Sequence, residues 1–369
     1  MFPYFVLLVL AVSLAWMSQI SQRRAALAKV DIVSAQPSPA PWLVPPARTH
    51  ALNPFDVGLI CALTLFAGLR SGVGTDFAVY TTLFERLDPQ DWLGSLAASP
   101  LEPGYTVLSL LVASLTHSPT VLFVVTSLLS VAPVVLVLRA RTSHLAVAVF
   151  LYITLAYYLA PLNTGRQGVA MGIFLLADQQ FAKRKWLFAL LVLVAASFHA
   201  SVLVVAVLYL LSRVVRPTFL LLAVVVTLGV ALASVAIPSE VGDIVGDFNE
   251  RYAPYFSNTP AGLGTYLTIA GKLLLTVYLI WLGRGNRSQG YYRTMVVFSI
   301  FFLVAGTSFP VLARLELFSS VFLILALPEL LSTRRVPAPL AAALGVGCLV
   351  YFTLYLQNYG GLVPYRSVF

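Results

Sequence analysis

Charge is what this chain has least of. Only 10% of its 369 residues are Asp, Glu, Lys or Arg, whereas 59% are hydrophobic, and the mean hydropathy is +0.90. A water-soluble domain carries about 25% charged residues, so that class is excluded. Cysteine is scarce too. Cys61 and Cys348 both lie inside apolar runs, which leaves no disulfide framework and no metal spacing; they read as packing residues. No Arg-rich transit peptide opens the chain. The first apolar stretch, Phe2 to Ile20, has no basic region before it and no small-residue cleavage site after it. It is therefore expected to stay as a membrane span. No soluble domain and no internal repeat stands out. The net charge of +9 points to anionic lipid headgroups rather than to nucleic acid.

What the chain has in abundance is apolar runs of membrane length. They predict an all-α polytopic membrane protein, one membrane domain over residues 1–369. Spans are expected near 2–20, 55–69, 119–138, 144–160, 168–182, 186–199, 200–212, 217–237, 263–282, 291–308, 311–332 and 338–357. This makes about twelve crossings, with both termini outside. The segment 104–116 is apolar but short for a crossing, and reads as a helix on or dipping into the outer leaflet. Residues 21–54, with Pro37, Pro39, Pro41, Pro45, Pro46 and Pro54, read as a Pro-rich cytoplasmic linker. Residues 70–118 form the first large outer loop, carrying the short helix, and 238–262 the second.

The basic residues support this topology. Arg23, Arg24, Lys29, Arg48, Arg139, Arg141, Lys183, Arg184, Lys185, Arg213, Arg216, Arg284, Arg287, Arg293, Arg334 and Arg335 fall on the cytoplasmic side, as the positive-inside rule requires. A full crossing at 104–116 would invert most of them. Lys272 falls within a span. Arg70, Arg86, Arg166, Arg251, Arg314 and Arg366 remain on the outer face, where arginine asks for a phosphate or carboxylate partner.

Several outer segments carry candidate chemistry. Arg70-Ser71-Gly72-Val73-Gly74-Thr75-Asp76 leads to Tyr80. It supplies a cation, a carboxylate and a phenol around glycines that permit tight turns; the plainer reading is a helix N-cap at Thr75 or Asp76. Glu102 opens the short apolar segment, as a base near the membrane surface or as an acid favoured at a helix start. Arg166-Gln167 follows the Asn163-Thr164-Gly165 turn, where a cation opposes the helix dipole unless a bound anion shares the site. His199 sits between two short apolar arms, in a recessed turn. It is either a functional histidine or one held by a backbone carbonyl. Asp243, Asp247 and Glu250-Arg251-Tyr252 lie in the second loop, and Arg314-Leu315-Glu316 follows Pro310, with a local ion pair as the plain alternative.

At these residues the chain resembles the EpsG family, within the Wzy-type O-antigen and exopolysaccharide polymerases. The pieces that carry the resemblance are Gly74-Thr75-Asp76 with Tyr80, Glu102-Pro103-Gly104-Tyr105, Gly165-Arg166-Gln167-Gly168-Val169-Ala170, Phe198-His199-Ala200-Ser201 and Pro364-Tyr365. They occur in family order from about Arg70 onward. The Pro-rich N-terminal loop departs from the pattern, as does Gly165, where the family commonly has Ile. The resemblance implies a GT-C-like glycosyltransferase in the bacterial cytoplasmic membrane, with its site facing the periplasm or outside. It would work without cofactor, metal or nucleotide sugar. Its substrate would be an undecaprenyl-pyrophosphate-linked oligosaccharide, with a flippase and a chain-length regulator as partners.

In such a reaction Arg166 and Arg314, assisted by Arg70 and Arg251, would meet the leaving pyrophosphate. Asp76 or His199 would engage the acceptor hydroxyl, Asp76 being favoured for loop access. Tyr80, Glu102 and Gln167 would orient sugars. The rival readings are a lipid-linked oligosaccharide transporter or flippase, an O-antigen ligase-type or acyl transferase, and a non-catalytic export scaffold. A transporter would spread charge along a two-sided path, whereas the polar candidates here share one side.

Overall fold

A computed structural model describes residues 1–33, 52–214, 263–283, 290–307, 310–333 and 336–369. Among these the chain is helical, with no strands beyond an isolated bridge between Arg70 and Ser367. The helices are α1 (Phe2–Val33), α2 (Pro54–Gly68), α3 (Phe77–Glu85), α4 (Trp92–Ala98), α5 (Pro103–Ala113), α6 (Pro119–Arg141), α7 (Leu145–Thr154), α8 (Gly165–Phe181), α9 (Lys185–Phe198), α10 (Val202–Ser212), α11 (Leu263–Leu282), α12 (Gly290–Ala305), α13 (Pro310–Ser320), α14 (Leu323–Thr333) and α15 (Ala338–Asn358).

Three stretches, Phe2–Ala25, Pro119–Arg141 and Ala338–Asn358, are long and apolar enough to cross a membrane by length and composition; α2, α5, α7, α9, α10 and α12 are shorter apolar helices. Large apolar side chains such as Val9, Trp16, Trp186, Leu193 and Val207 face outward, as lipid-facing surfaces require. The chain is an all-helical membrane protein. The expected span 217–237 and the loop 238–262 lie outside the described residues.

The helices form two compact units, Met1–Ala200 with Arg335–Phe369, and Ser201–Arg334. In the first, α2, α6, α8 and α9 pack in succession and α1 lies against α2 and α7. Buried carboxylates hold the ends that carry the basic residues. Asn53 and Asp56 cap α2 reciprocally, through Asn53 Oδ1 at 3.0 Å and Asp56 Oδ2 at 2.9 Å, with Pro54 in the first turn. The same Asp56 carboxylate accepts from Ser18 of α1 at 2.5 Å and pairs with Arg139 of α6 at 2.8 Å. Arg141 reaches Asp178 of α8 at 3.4 Å. Small residues allow the close crossings: a Cβ on Gly68 would lie 2.6 Å from Val124 Cα, and one on Gly172 3.1 Å from the Ser130 carbonyl oxygen.

In the second unit, α12 packs against α13 and contacts α10 and α14. Tyr209, Tyr292, Phe318 and Phe322 are buried in its core. Lys272 of α11 pairs with Glu316 of α13 at 2.5 Å, both side chains nearly buried.

Three expectations are corrected. α1 runs on to Val33, into the stretch read as linker, because no glycine or proline interrupts it before Pro37. The span 144–160 is helical only to Thr154. Ala156 takes a left-handed φ of 66°, and the chain continues through turns to a 3-10 turn at Ala160–Leu162. Tyr157, Tyr158 and Leu159 stay buried there, so hydropathy alone does not register the break. The span 311–332 is two helices parted at Val321–Phe322, just after the serine pair Ser319-Ser320.

Candidate functional site

Four short segments of the first unit meet around one carboxylate. Glu102 occupies the N-cap position of α5 in extended conformation (φ −63°, ψ 146°), yet its side chain makes no capping hydrogen bond. Its place at a helix start is the one the dipole favours for an acid, but the dipole does not account for the partners of the carboxylate. Its Oε2 pairs closely with Arg166 Nη1, and its Oε1 lies 3.3 Å from His199 Nδ1. Arg166 Nε donates to the Tyr80 hydroxyl at 3.3 Å. The result is a continuous line, Tyr80, Arg166, Glu102, His199, drawn from α3, the first turn of α8, the start of α5 and the end of α9.

Local sequence explains each placement. His199 ends α9 in extended conformation, its main-chain N–H still bonded to Ala195 at 3.0 Å. Gly104 lets α5 approach that end: a Cβ there would meet Ser197 Oγ and lie 2.8 Å from the Ser197 carbonyl oxygen. Gly168 serves α8 in the same way, its open side filled by Pro161. Tyr80 is buried against Tyr105, ring centroids 5.3 Å apart. The side chains of Arg166, Glu102 and His199 keep 17%, 21% and 10% exposure. Arg166 and Glu102 are sheltered but reachable, whereas both ring nitrogens of His199 are covered; with little water there, charges act strongly.

The remaining candidates sit elsewhere. Asp76 holds the N-cap position of α3 without a side-chain capping bond, and its Oδ1 accepts from Thr75 Oγ1 at 3.3 Å. It stands one helical turn before Tyr80, whose N–H bonds the Asp76 carbonyl at 3.0 Å. Arg70 is buried and donates to the carbonyls of Ala67, Val73 and Leu162, with its guanidinium 4.8 Å from the Phe123 ring. Burial lowers its pKa from the ordinary arginine value, with neighbouring tyrosines opposing. Arg70 thus braces the loops. Gln167 is buried beside Arg166. Arg314 is half-buried in α13 of the second unit, two residues before Glu316, and Arg251 lies outside the described residues. Arg86 and Arg366 are exposed.

Asn163 matters more than a turn residue needs to. Its Oδ1 accepts from the Thr75 N–H at 2.7 Å and the Thr75 hydroxyl at 3.2 Å, and a Cβ on Gly360 would strike its amide. Gly74 and Gly360 both have left-handed φ, 96° and 69°, so each flank is built to accept this side chain. The C-terminal Tyr365 stacks on Phe66 at 4.1 Å and donates to the Phe66 carbonyl at 2.7 Å.

A carboxylate at Nδ1 favours the histidine tautomer with its proton on that nitrogen and makes Nε2 the basic one. The same carboxylate fixes a guanidinium whose fork suits phosphate oxygens. One carboxylate therefore contacts both an imidazole and a guanidinium. Among the described residues no cluster of three or more His, Cys, Asp or Glu side chains could hold a metal.

Residues 55–367, most of the chain, match the model of the EpsG family. No curated protein and no solved structure matches it.

Proposed function

Since the chain belongs to the EpsG family, a family of polysaccharide polymerases, we propose that it extends a glycan carried on undecaprenyl pyrophosphate at the outer face of the bacterial cytoplasmic membrane. About twelve crossings in a GT-C-like bundle would carry the site. The observation that supports this most is the line Tyr80, Arg166, Glu102, His199.

The terminal sugar hydroxyl of an incoming lipid-linked repeat unit attacks the anomeric carbon of the growing chain. The bond from that carbon to the pyrophosphate oxygen breaks, and its electron pair leaves with the lipid pyrophosphate. The hydroxyl proton passes to His199 Nε2. We assign the proton to His199 rather than Asp76, because Glu102 orients the imidazole. Arg166, held by Glu102 and Tyr80, meets the negative charge that grows on the leaving group without reorganising. Arg70 supports this arrangement through the loops it braces, and Gln167 through its place beside Arg166. A flippase and a chain-length regulator act before and alongside this step.

The test is polymerisation by the purified protein on a defined undecaprenyl-pyrophosphate oligosaccharide. Wild type should build a ladder and Arg166→Ala should not. A ladder of wild-type length from Arg166→Ala would remove the pyrophosphate role. Transport without chain growth would favour a flippase, and transfer to a different acceptor would favour a ligase.

A further inference from the structure

Behind Tyr80, the first outer loop lines an open recess of about 410 Å³ that the reaction above leaves unused. Its size is that of a small-molecule site. Tyr80 and Tyr105 form one wall; Ser95, Ser99 and Thr106 bring hydroxyls, and Arg86 stands at it from the end of α3. The rest is apolar. Ser99 and Thr106 share a hydrogen bond of 2.8 Å, and the Thr106 hydroxyl reaches the Glu102 carbonyl at 3.3 Å. The recess and the polar line therefore share Tyr80 directly and Glu102 through Thr106. Arg86 is exposed and ion-pairs with none of the described carboxylates.

We infer that this recess binds a sugar residue of the acceptor glycan, an inference that rests on the polymerase reading. A pyranose ring has an apolar face and a polar edge. Aromatic walls suit the first, and neighbouring hydroxyls suit the second. A prenyl tail would waste the Ser99–Thr106 pair and the cation. The Arg86 guanidinium fits an anionic substituent on that sugar. Because the Tyr80 ring separates recess from reaction line, a ring seated here presents its neighbour in the chain to His199.

The probe is the free oligosaccharide repeat, released from its carrier lipid by mild acid, titrated calorimetrically into the detergent-purified full chain. Wild type should bind it. Arg86→Ala, at an exposed position, should weaken binding about tenfold, and Ser99→Trp, which fills the recess, should abolish it. Arg166→Ala should still bind the free repeat. If Arg86→Ala and Ser99→Trp bind like wild type while wild type polymerises, the sugar site falls and the polymerase reading stands. If wild type binds with those losses but never polymerises, the reverse holds. Loss of undecaprenyl phosphate binding, rather than oligosaccharide binding, in Ser99→Trp would assign the recess to the lipid and overturn the inference.

Discussion

Gly104→Ala tests the geometry most sharply, because it adds one methyl group without altering any side chain of the proposed reaction line. The new Cβ would lie 2.8 Å from the Ser197 carbonyl oxygen and would also meet Ser197 Oγ. The hydroxyl can rotate away at the loss of its 2.7 Å bond to Val194. The carbonyl cannot, since it belongs to the last turn of α9. Reaching the 3.4 Å of ordinary contact therefore opens α5 from α9 by about 0.6 Å. Glu102 and His199 sit on the two sides of that seam, already 3.3 Å apart. The added separation weakens that charged contact further and loosens the imidazole relative to the carboxylate.

Misplacement of about 1 Å at a reacting pair costs about 10²-fold in rate, so a shift of about half that predicts a loss of roughly tenfold in kcat. Overpacking of this kind costs about 1–3 kcal/mol of stability. The assay is the initial rate of ladder formation by purified protein, with thermal unfolding followed in the same detergent. Ser197→Gly in the Gly104→Ala background removes the hydroxyl clash only. It should therefore restore stability in part and leave the rate low. Gly104→Ala with wild-type rate and wild-type melting would refute the claim that this glycine sets the Glu102–His199 distance.

Other substitutions probe other parts of the molecule. Glu102→Gln keeps volume but removes the charge that orients both partners, and should lower kcat about 10²–10⁴-fold; combined with His199→Ala, the losses should be far from additive in a double-mutant cycle. Asp56→Ala leaves Arg139 buried without the carboxylate that now lies 2.8 Å away, and should cost about 3–5 kcal/mol in thermal or denaturant unfolding. Arg70→Met strands the carbonyls of Ala67, Val73 and Leu162, each worth about 1–3 kcal/mol when left buried and unsatisfied; the melting temperature should fall even without substrate. In the second unit, Lys272→Met alone should destabilise, whereas Lys272→Met with Glu316→Leu should recover most of the loss.

What hydropathy reads well is that the described chain is built of apolar helices, three stretches of which are long enough to cross a membrane. It reads badly where a helix stops without changing composition. Ala156 stands in a run that stays apolar, so its break leaves no hydropathy signal, and at Val321 the serine pair before it is too small a polar patch to part an otherwise apolar span. The site shows the complementary limit. Arg166, His199, Tyr80 and Glu102 were each recognisable as polar groups out of place, but their pairing depends on contacts across 64 to 97 positions in sequence, which no local pattern encodes.

Glycine carried more of that information than charge did. Gly104 and Gly168 mark the close approaches that draw α5 and α8 into the site, and Gly74 and Gly360 flank Asn163. Arg70, grouped by charge with Arg166, turned inward to main-chain carbonyls because the loop after α2 offers them and the nearby described carboxylates are engaged elsewhere. Two arginines on one face thus divide by what surrounds them. One stabilises the scaffold through carbonyls and an aromatic ring, and the other is held by a single carboxylate that also positions a histidine. The proposed reaction, in which a glycosidic bond forms and pyrophosphate leaves, needs both, a rigid loop and a cation aimed by something other than its substrate.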